Sequence, residues 1–259
     1  MNDGKVTIEK LGKVYDDGPE KTKAIKDLTF EIAGGEFVSI VGPSGCGKSS
    51  LLYLLAGFLE TTSGSITVDG NPIDGPGTDR GVVFQDYALF PWRTVLKNVT
   101  YGLEQKGMPK EERRSTAQRY IDMMDLSGFE DRYPKELSGG MKQRVAIART
   151  LAYDPKILLM DEPFGALDQP LRESLQDQLL DIWKELEKTV VFITHDVEEA
   201  VYLSERVMIM TSHPGTKKTV VPFDIDRSLN REEIITTDEF ISTKNTVWMS
   251  LREETQPEV

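Results

Sequence analysis

The residues from Gly42 to Ser49 form the strongest chemical motif in the sequence. They read Gly-Pro-Ser-Gly-Cys-Gly-Lys-Ser, a full match to the phosphate-binding pattern G-x-x-x-x-G-K-[ST], and they lie between an apolar strand and a helix, as this pattern requires. Glycines let successive backbone N–H groups turn inward around a phosphate, and the helix N-terminus adds partial positive charge. Lys48 can then reach the terminal phosphates of a nucleotide, and the Ser49 hydroxyl can hold Mg²⁺. The alternative is a glycine-rich turn that carries a Lys-Ser pair by chance.

Two carboxylates follow the apolar run Ile157–Met160. Asp161, at the end of a buried strand, can enter the coordination shell of Mg²⁺, and Glu162 can polarise the water that attacks a γ-phosphate. A strand that ends in Asp-Glu is by itself an ordinary solvated strand end. Downstream of a phosphate loop in one compact domain, the pair is predicted to be catalytic.

A second helix start suited to an anion lies at Leu137–Gly140, called the signature below. It reads Leu-Ser-Gly-Gly and carries no Lys-Ser pair of its own, so the chain has two helix N-termini that could meet an anion. A single nucleotide has no evident need for both within one chain. In isolation, the tetrapeptide would be interpreted as a serine N-cap beside a flexible glycine pair.

Short strands and helices must position these motifs. Apolar runs and alternating patterns predict strands at Val6–Ile8, Leu28–Ile32, Phe37–Val41, Ser65–Asp69, Gly81–Gln85, Ile157–Asp161, Val190–Thr194 and Val207–Met210. Leucine-rich and 3.6-residue patterns predict helices at Lys48–Ala56, Met141–Ala152, Leu171–Lys188 and Val197–Leu203, with Ala117, Tyr120, Ile121 and Met124 on one face of another. The later alternation of helix and strand predicts a parallel sheet covered by helices. Beyond about Pro222 the periodicity weakens, and the end of the chain is predicted to be a frayed acidic tail.

The composition is that of a folded globular protein, with 259 residues, of which 39% are hydrophobic and 29% charged. A formal net charge of −12 disfavours a nucleic-acid-binding role, because counterion release needs a basic surface. One cysteine and two histidines disfavour a disulfide or a Cys/His metal cluster. The longest apolar run, Leu51–Leu59, is far below the roughly 20 residues that span a bilayer, and the N-terminus is unlike a secretory signal. We therefore expect a cytosolic chain.

In this order, the motifs resemble those of the nucleotide-binding subunit of ATP-binding-cassette (ABC) transporters over almost the whole chain. To the motifs above, the resemblance adds Tyr15 before the phosphate loop, Gln85 at the end of a strand, Gly165-Ala166-Leu167-Asp168, and His195 after a later strand. It implies an α/β ABC ATPase fold: a P-loop (RecA-like) core with a parallel sheet, an N-terminal antiparallel β subdomain and an inserted α-helical subdomain. The ATPase domain would span residues 6–222, with the helical insert at about 95–150 and a short C-terminal extension or tail at 223–259.

The resemblance also implies a head-to-tail dimer, with a second copy or a paralogous ATPase, in which ATP and Mg²⁺ on one phosphate loop are closed over by the signature of the other subunit. The implied ATP-binding residues are Tyr15, Gly42, Pro43, Ser44, Gly45, Cys46, Gly47, Lys48, Ser49 and Ser50. The implied contacts from the other subunit are Leu137, Ser138, Gly139 and Gly140. The implied catalytic residues are Lys48, Gln85, Glu162 and His195, and the implied Mg²⁺ ligands are Ser49, Gln85 and Asp161.

Several residues take their roles from the resemblance alone. Tyr15 would stack on adenine and His195 would contact the γ-phosphate. Gln85 would sense Mg²⁺ and the attacking water, and Asp168 would lie at the dimer seam. Otherwise Tyr15 is a core or edge-strand tyrosine, Gln85 a polar strand end and His195 a structural histidine. Cys46 lies in the phosphate loop near a helix N-terminus, where a thiolate is favoured, but we expect it to be only a small residue that fits the loop. Because of this placement, its alkylation should block ATP binding.

The segments Pro76–Gln85, Leu89–Trp92 and Ser212–Gly215 resemble those of the ATPases of nitrate, sulfonate and taurine importers, although uptake systems for bicarbonate, cyanate and vitamin precursors share much of the pattern. The implied partners are transmembrane permease subunits and, indirectly, a periplasmic or lipoprotein solute-binding protein. The chain would be a peripheral subunit on the cytoplasmic face of the inner membrane. The aromatic residues of Leu89–Trp92 either form a groove for a short permease helix or pack within the insert.

Two other classes of function compete with an importer subunit. Soluble ABC ATPases serve DNA repair, translation or cofactor assembly. Repair ATPases carry long coiled-coil arms and translation factors carry two cassettes, whereas this chain has a short insert without sustained heptads and one phosphate loop. Cofactor-assembly ATPases are the hardest to exclude. A small-molecule P-loop kinase would leave the signature without a task.

Overall fold

A computed structural model describes residues 3–16 and 21–255, which form two compact units. Unit 1 is drawn from the described parts of Met1–Gly77 and Glu187–Val259, and unit 2 is Thr78–Leu186. The strands are β1 (Val6–Tyr15), β2 (Thr22–Ile32), β3 (Phe37–Val41), β4 (Ser63–Val68), β5 (Asn71–Pro72), β6 (Arg80–Val83), β7 (Ile157–Asp161), β8 (Thr189–Ile193), β9 (Arg206–Met210) and β10 (Lys217–Pro222). The helices are α1 (Lys48–Leu55), α2 (Val95–Val99), α3 (Tyr101–Gln105), α4 (Lys110–Met123), α5 (Gly139–Ala152), α6 (Gln169–Leu186), α7 (Val197–Leu203), α8 (Arg231–Ile234) and α9 (Asp238–Thr255). Within these described residues, no helix has the combined length and hydrophobicity to cross a bilayer.

Unit 1 contains an antiparallel sheet with the strand order β2-β1-β4-β5. Val6 of β1 lies between Ile32 of β2 and Val68 of β4, and all three side chains are buried. The polar residues that alternate with them stay near the surface, as expected for strands with one buried face. The predicted β subdomain is thus present, although β1 extends well beyond the predicted segment Val6–Ile8.

The second set of strands in unit 1 includes β3, which leads directly into the phosphate loop. Strand β3 pairs in parallel with β8 on one side and with β9 on the other, and β10 is antiparallel to β9. Every residue of β3 and β8 is buried, and the rings of Phe37 and Phe192 lie 5.9 Å apart between centroids. Burying an aromatic side chain of this size contributes roughly 1.5–3 kcal/mol. Continuous apolar runs therefore mark β3 and β8 as interior parallel strands.

Unit 2 contains two strands, β6 and β7, which pair in parallel, together with a set of helices. The predicted helical face of Ala117, Tyr120, Ile121 and Met124 is buried, which confirms that prediction. In α5 the segment from Val145 to Ala148 is fully buried, so this helix is the centre of the helical part of unit 2.

The C-terminal segment differs from the sequence prediction. The prediction of a frayed tail is wrong up to Thr255, because α9 runs from Asp238 to this residue and buries Phe240 and Val247. The remaining predicted tail residues, 256–259, lie outside the described part of the chain. A helix this long, anchored by aromatic and aliphatic side chains, is an integral element of unit 1.

Candidate nucleotide site

The phosphate loop leaves the end of β3 and continues into the first turn of α1. Gly45 (φ +76°) and Gly47 (φ +97°) lie in the left-handed region, which glycine adopts without strain. The Lys48 side chain is buried, and its ammonium donates hydrogen bonds to the carbonyls of Gly42 (2.8 Å) and Pro43 (3.1 Å). The loop therefore curls around one buried cation, an arrangement suited to an anionic phosphate group.

Cys46 in this loop does not have the chemistry expected from its position. The thiol is 1% exposed, and burial raises its pKa more than the nearby Lys48 ammonium lowers it. The helix N-terminus therefore does not favour a thiolate here, because desolvation of the charged form outweighs it. Cys46 is a small residue packed inside the loop.

Tyr15 lies at the end of β1, next to the first helix. Its hydroxyl and that of Ser50 are 3.0 Å apart and share a hydrogen bond, and the Lys13 ammonium lies 5.2 Å from the centroid of the half-buried ring. Because Ser50 is in the first turn of α1, the structure brings Tyr15 close to the phosphate loop.

His195 follows the strand next to the one that carries the phosphate loop. Strands β3 and β8 are parallel, with Ile40 opposite Ile193, so the phosphate loop and His195 both follow the carboxyl ends of neighbouring strands. Asp196 caps α7, and its N–H donates to the Thr194 hydroxyl (3.0 Å), which holds the turn between strand and helix. The His195 side chain is exposed. Ligands of open α/β sheets bind at this kind of edge.

In unit 2, the structure brings Gln85 and the Asp161-Glu162 pair together. Asp161 is the last residue of β7, Glu162 follows it, and Gln85 lies two residues beyond the carboxyl end of the parallel strand β6. A Cβ atom placed on Gly165 would lie 3.8 Å from Gln85 Nε2 and 3.9 Å from Glu162 Oε2. Strand β6 ends at Val83, so the expectation that Gln85 ends a strand is wrong by two residues, and Gln85 lies in an exposed turn.

Glu162 has a backbone conformation that residues other than glycine rarely adopt. Its φ is +45°, in the left-handed region, and its carbonyl accepts a hydrogen bond from the Gly165 N–H (3.2 Å). Such conformations cost on the order of 1–3 kcal/mol and concentrate at functional sites. The turn therefore sets the direction of the Cα–Cβ bond of Glu162 just after β7.

Arg149 holds the segment just after Gln85, a role that the sequence alone does not predict. Tyr87 and Ala88, just after Gln85, both have positive φ (59° and 47°), and the Arg149 guanidinium donates to the carbonyls of Ala88 (2.6 Å) and Tyr87 (3.2 Å). Burial lowers the pKa of this guanidinium. The sequence places Arg149 in a predicted helix, but no motif spacing links it to a segment 61 residues away.

The signature forms the start of α5, as predicted. Ser138 is the N-cap, and its hydroxyl accepts from the Met141 N–H (3.3 Å), while Ser138 and Gly139 are exposed. Gly140 is buried, and a Cβ there would lie 2.4 Å from Leu171 Cδ2 at the start of α6. The exposed Asp168 accepts from the Leu171 N–H (3.2 Å) in the same region. The structure thus confirms both predicted helix starts, that of α1 at Lys48 and that of α5 after its N-cap Ser138.

The proposed Mg²⁺ ligands suit a hard cation. Ser49, Gln85 and Asp161 offer a hydroxyl, an amide and a carboxylate oxygen, and Mg²⁺ typically takes few protein ligands together with substrate phosphates. Among the described residues, no group of three His, Cys, Asp or Glu side chains could hold a metal ion by itself. The hydroxyl, amide and carboxylate donors therefore fit a cation that arrives with a nucleotide.

Comparison with known proteins now identifies the family. The ABC transporter family model matches residues 25–165. The chain is 53% identical over 209 residues to the nitrate import ATP-binding protein NrtD of Synechocystis, which covers 81% of this chain and 79% of that protein. It belongs to the ABC transporter family as an ATP-binding subunit, and the predicted α/β ABC ATPase fold is confirmed.

Two further proteins resemble the chain closely. The taurine import ATP-binding protein TauB of Yersinia pestis is 50% identical over 192 residues, which covers 74% of this chain and 75% of that protein. The ATP-binding cassette MJ0796, solved as a dimer in a post-hydrolysis state bound to ADP and Pi, superposes with a TM-score of 0.75 at 36% identity. That alignment covers 84% of this chain and 98% of MJ0796.

Proposed function

We propose that this chain is the ATP-hydrolysing subunit of an importer that takes up a small solute of the nitrate, sulfonate or taurine type through partner permeases. The main support is that two import ATP-binding proteins, one for nitrate and one for taurine, are at least 50% identical to it. Both acidic residues of the strand-end motif, Asp161 and Glu162, are present, and Met141 stands after the signature where many relatives carry glutamine. An ATPase of this kind acts as a peripheral subunit on the cytoplasmic face of the membrane.

In this function, the phosphate loop from Gly42 to Ser49 and the next residue, Ser50, bind the phosphates of ATP. Lys48 exchanges its contacts with loop carbonyls for contacts with the terminal phosphates. Tyr15 stacks on adenine. Ser49, Gln85 and Asp161 would hold Mg²⁺, which would neutralise charge on the phosphate oxygens.

Hydrolysis requires a base and a group that stabilises the γ-phosphate. Glu162 accepts a proton as water attacks the γ-phosphorus and the bond from this phosphorus to the β–γ bridging oxygen breaks. The fixed turn at Glu162 limits the directions that its carboxylate can take. His195 donates a hydrogen bond to the γ-phosphate, and Gln85 orients the attacking water.

A head-to-tail dimer gives the signature its task. Ser138, Gly139 and Gly140 contribute a hydroxyl and a helix N-terminus to the ATP on the other subunit, and Asp168 lies at the seam. The exposure of Ser138 and Gly139 supports this role, as does the dimeric state of the related cassette MJ0796. ATP binding closes the dimer, and hydrolysis reopens it.

Isolation from native membranes tests this function. A tagged chain should co-purify with a polytopic permease, and ATPase activity should rise when the permease and its solute-loaded binding protein are present. Uptake of labelled nitrate and taurine by the reconstituted assembly then identifies the solute. Recovery of the chain without any membrane protein, bound instead to a soluble assembly partner, would contradict the importer and support cofactor assembly.

A further inference from the structure

A short loop after β9, Thr211–Thr216, packs against the phosphate loop, and we name it the brace loop. Its ends are joined by a hydrogen bond from the Thr211 N–H to the Thr216 carbonyl (3.0 Å), and the Thr211 hydroxyl donates to the Pro214 carbonyl (3.1 Å). Gly215 within it is hydrogen-bonded on both sides to β2: its N–H donates to the Ala24 carbonyl (2.9 Å), and its carbonyl accepts from the Lys26 N–H (3.0 Å). The brace loop is therefore a fixed structure.

The brace loop meets the phosphate loop at two points. A Cβ atom on Gly215 would lie 1.9 Å from the Cys46 carbonyl oxygen, so the two backbones are in direct contact. A Cβ atom on Gly45 would lie 3.5 Å from His213 Nε2, which places the imidazole beside the left-handed turn of the phosphate loop. The brace loop thus limits the positions that Gly45 and Cys46 can take.

The C-terminal helix fixes the brace loop through one carboxylate. Glu254, in the last turn of α9, accepts a hydrogen bond from the Ser212 N–H (3.0 Å) and forms an ion pair with Lys218 (2.9 Å). Burial raises the pKa of Glu254, but the hydrogen bonds from Lys218 and Ser212 outweigh it, and the pKa lies below its usual range. The carboxylate is therefore ionised at neutral pH and is only 16% exposed. Its neighbour Glu253 also contacts Lys218 (2.8 Å) but is 70% exposed.

We propose that Glu254 is a positioning residue for ATP binding, which acts from the C-terminal helix through the brace loop on Gly45 and Cys46. This inference rests on the proposed role of the phosphate loop as the ATP site. A glycine-rich loop loses conformational freedom when its N–H groups converge on a phosphate, and a brace that restricts the loop beforehand reduces that cost. The C-terminal helix therefore contributes to ATP affinity without contacting the nucleotide.

Two matched pairs of variants test this role: E254A against E253A, and E254Q against E253Q. Each is made in an E162Q background, and the Kd for ATP is measured by calorimetry with Mg²⁺ present. We expect E254A to raise the Kd roughly three- to tenfold, because charge-assisted hydrogen bonds that hold the brace loop are lost. E254Q, whose amide oxygen can still accept from Ser212, should recover part of the affinity, and both Glu253 variants should bind as the E162Q parent does.

Two further readouts separate positioning from a purely structural role. With Glu162 intact, E254A should raise the KM for ATP while kcat at saturating ATP stays close to wild type. In the absence of nucleotide, amide hydrogen exchange over residues 42–47 should be faster in E254A than in E253A. A structural role of α9 alone would lower the Tm and leave the Kd and the exchange rates unchanged.

These experiments distinguish a failure of the Glu254 inference from a failure of the proposed ATP site. If the E162Q parent does not bind ATP, or binds it equally well after Lys48→Ala, the proposed function is wrong and this inference falls with it. If the parent binds ATP and K48A does not, equal Kd values for E254A and E253A overturn the inference alone. Should E254A fail to fold, E254Q decides by the same comparison with E253Q: a Kd at least about twofold higher supports the inference and an equal Kd overturns it.

Discussion

Glu162 combines a carboxylate with a backbone conformation that is costly for any residue other than glycine. The motif Asp-Glu after an apolar strand is visible in the sequence, but the φ of +45° is not, because it depends on the turn that closes at Gly165. The same holds for Cys46, whose burial and raised pKa follow from packing rather than from its place in the motif. The sequence thus shows which residues carry the motifs, but it does not show their backbone geometry or the pKa that burial gives them.

Glu162→Gln is expected to lower kcat by about 10²–10⁴-fold, because the amide cannot accept the proton from water. The Kd for ATP should change little, since the side chain keeps its size. Phosphate release and ATP binding are measured on the same preparation. The matched control is Glu187→Gln, which alters a glutamate that also has positive φ (48°). Wild-type turnover in Glu162→Gln would show that another group is the base.

At the scale of elements, apolar periodicity predicted most strands and helices, including the wholly buried β3 and β8. The apolar pattern does not predict the C-terminal helix α9, because the apolar residues of this helix do not lie on one face. Phe240 and Val247 are buried, whereas Trp248 and Met249 are 52% and 61% exposed. Its hydrogen bond to the brace loop comes from a charged residue, Glu254, which an apolar pattern does not reveal. A helix held by polar contacts as well as packing gives a weak signal in the sequence.

The end of α1 offers a test of element geometry. Gly57 follows Ala56, the C-cap of α1, and its φ of +75° is the left-handed conformation with which many helices end. A Cβ atom there would lie 2.1 Å from the Gly75 carbonyl oxygen, whereas at Gly70, with φ +79°, there is nothing within 4 Å.

Gly57→Ala should therefore lower the free energy of unfolding by about 3 kcal/mol or more, from backbone strain and the clash together. Gly70→Ala has the strain alone and should cost about 1–2 kcal/mol. Urea titration of both variants measures the difference. Equal losses would show that the segment at Gly75 moves away freely.

At the scale of the whole molecule, the proposed function divides the tasks of the sequence motifs between two ATPase subunits and a membrane partner. Phe90 packs within unit 2, with its ring 4.5 Å from that of Tyr101, so the alternative of packing within the insert is right for Phe90. Trp92 is 72% exposed and is the residue that suits a permease helix. What a single sequence cannot supply is the partner surface on which such exposed residues act.

Trp92→Ala should weaken co-purification with the permease and solute uptake by roughly tenfold or more, because exposed aromatic anchors often dominate interface energy. The basal ATPase activity of the isolated chain should stay near wild type. Trp248→Ala is the matched control, since Trp248 is also exposed but lies on α9. Full transport by Trp92→Ala would assign Trp92 to the surface of the insert alone.

The most direct test of a shared ATP site is the solution mass of the Glu162→Gln protein with ATP and Mg²⁺, alone and assembled with its permease. We predict a closed dimer of the ATPase subunits in at least the permease-bound form, and no such closure when Ser138→Arg is added, although ATP still binds to the phosphate loop. Subunits that stay monomeric with ATP in both settings, or that close equally well with Ser138→Arg, would contradict the account.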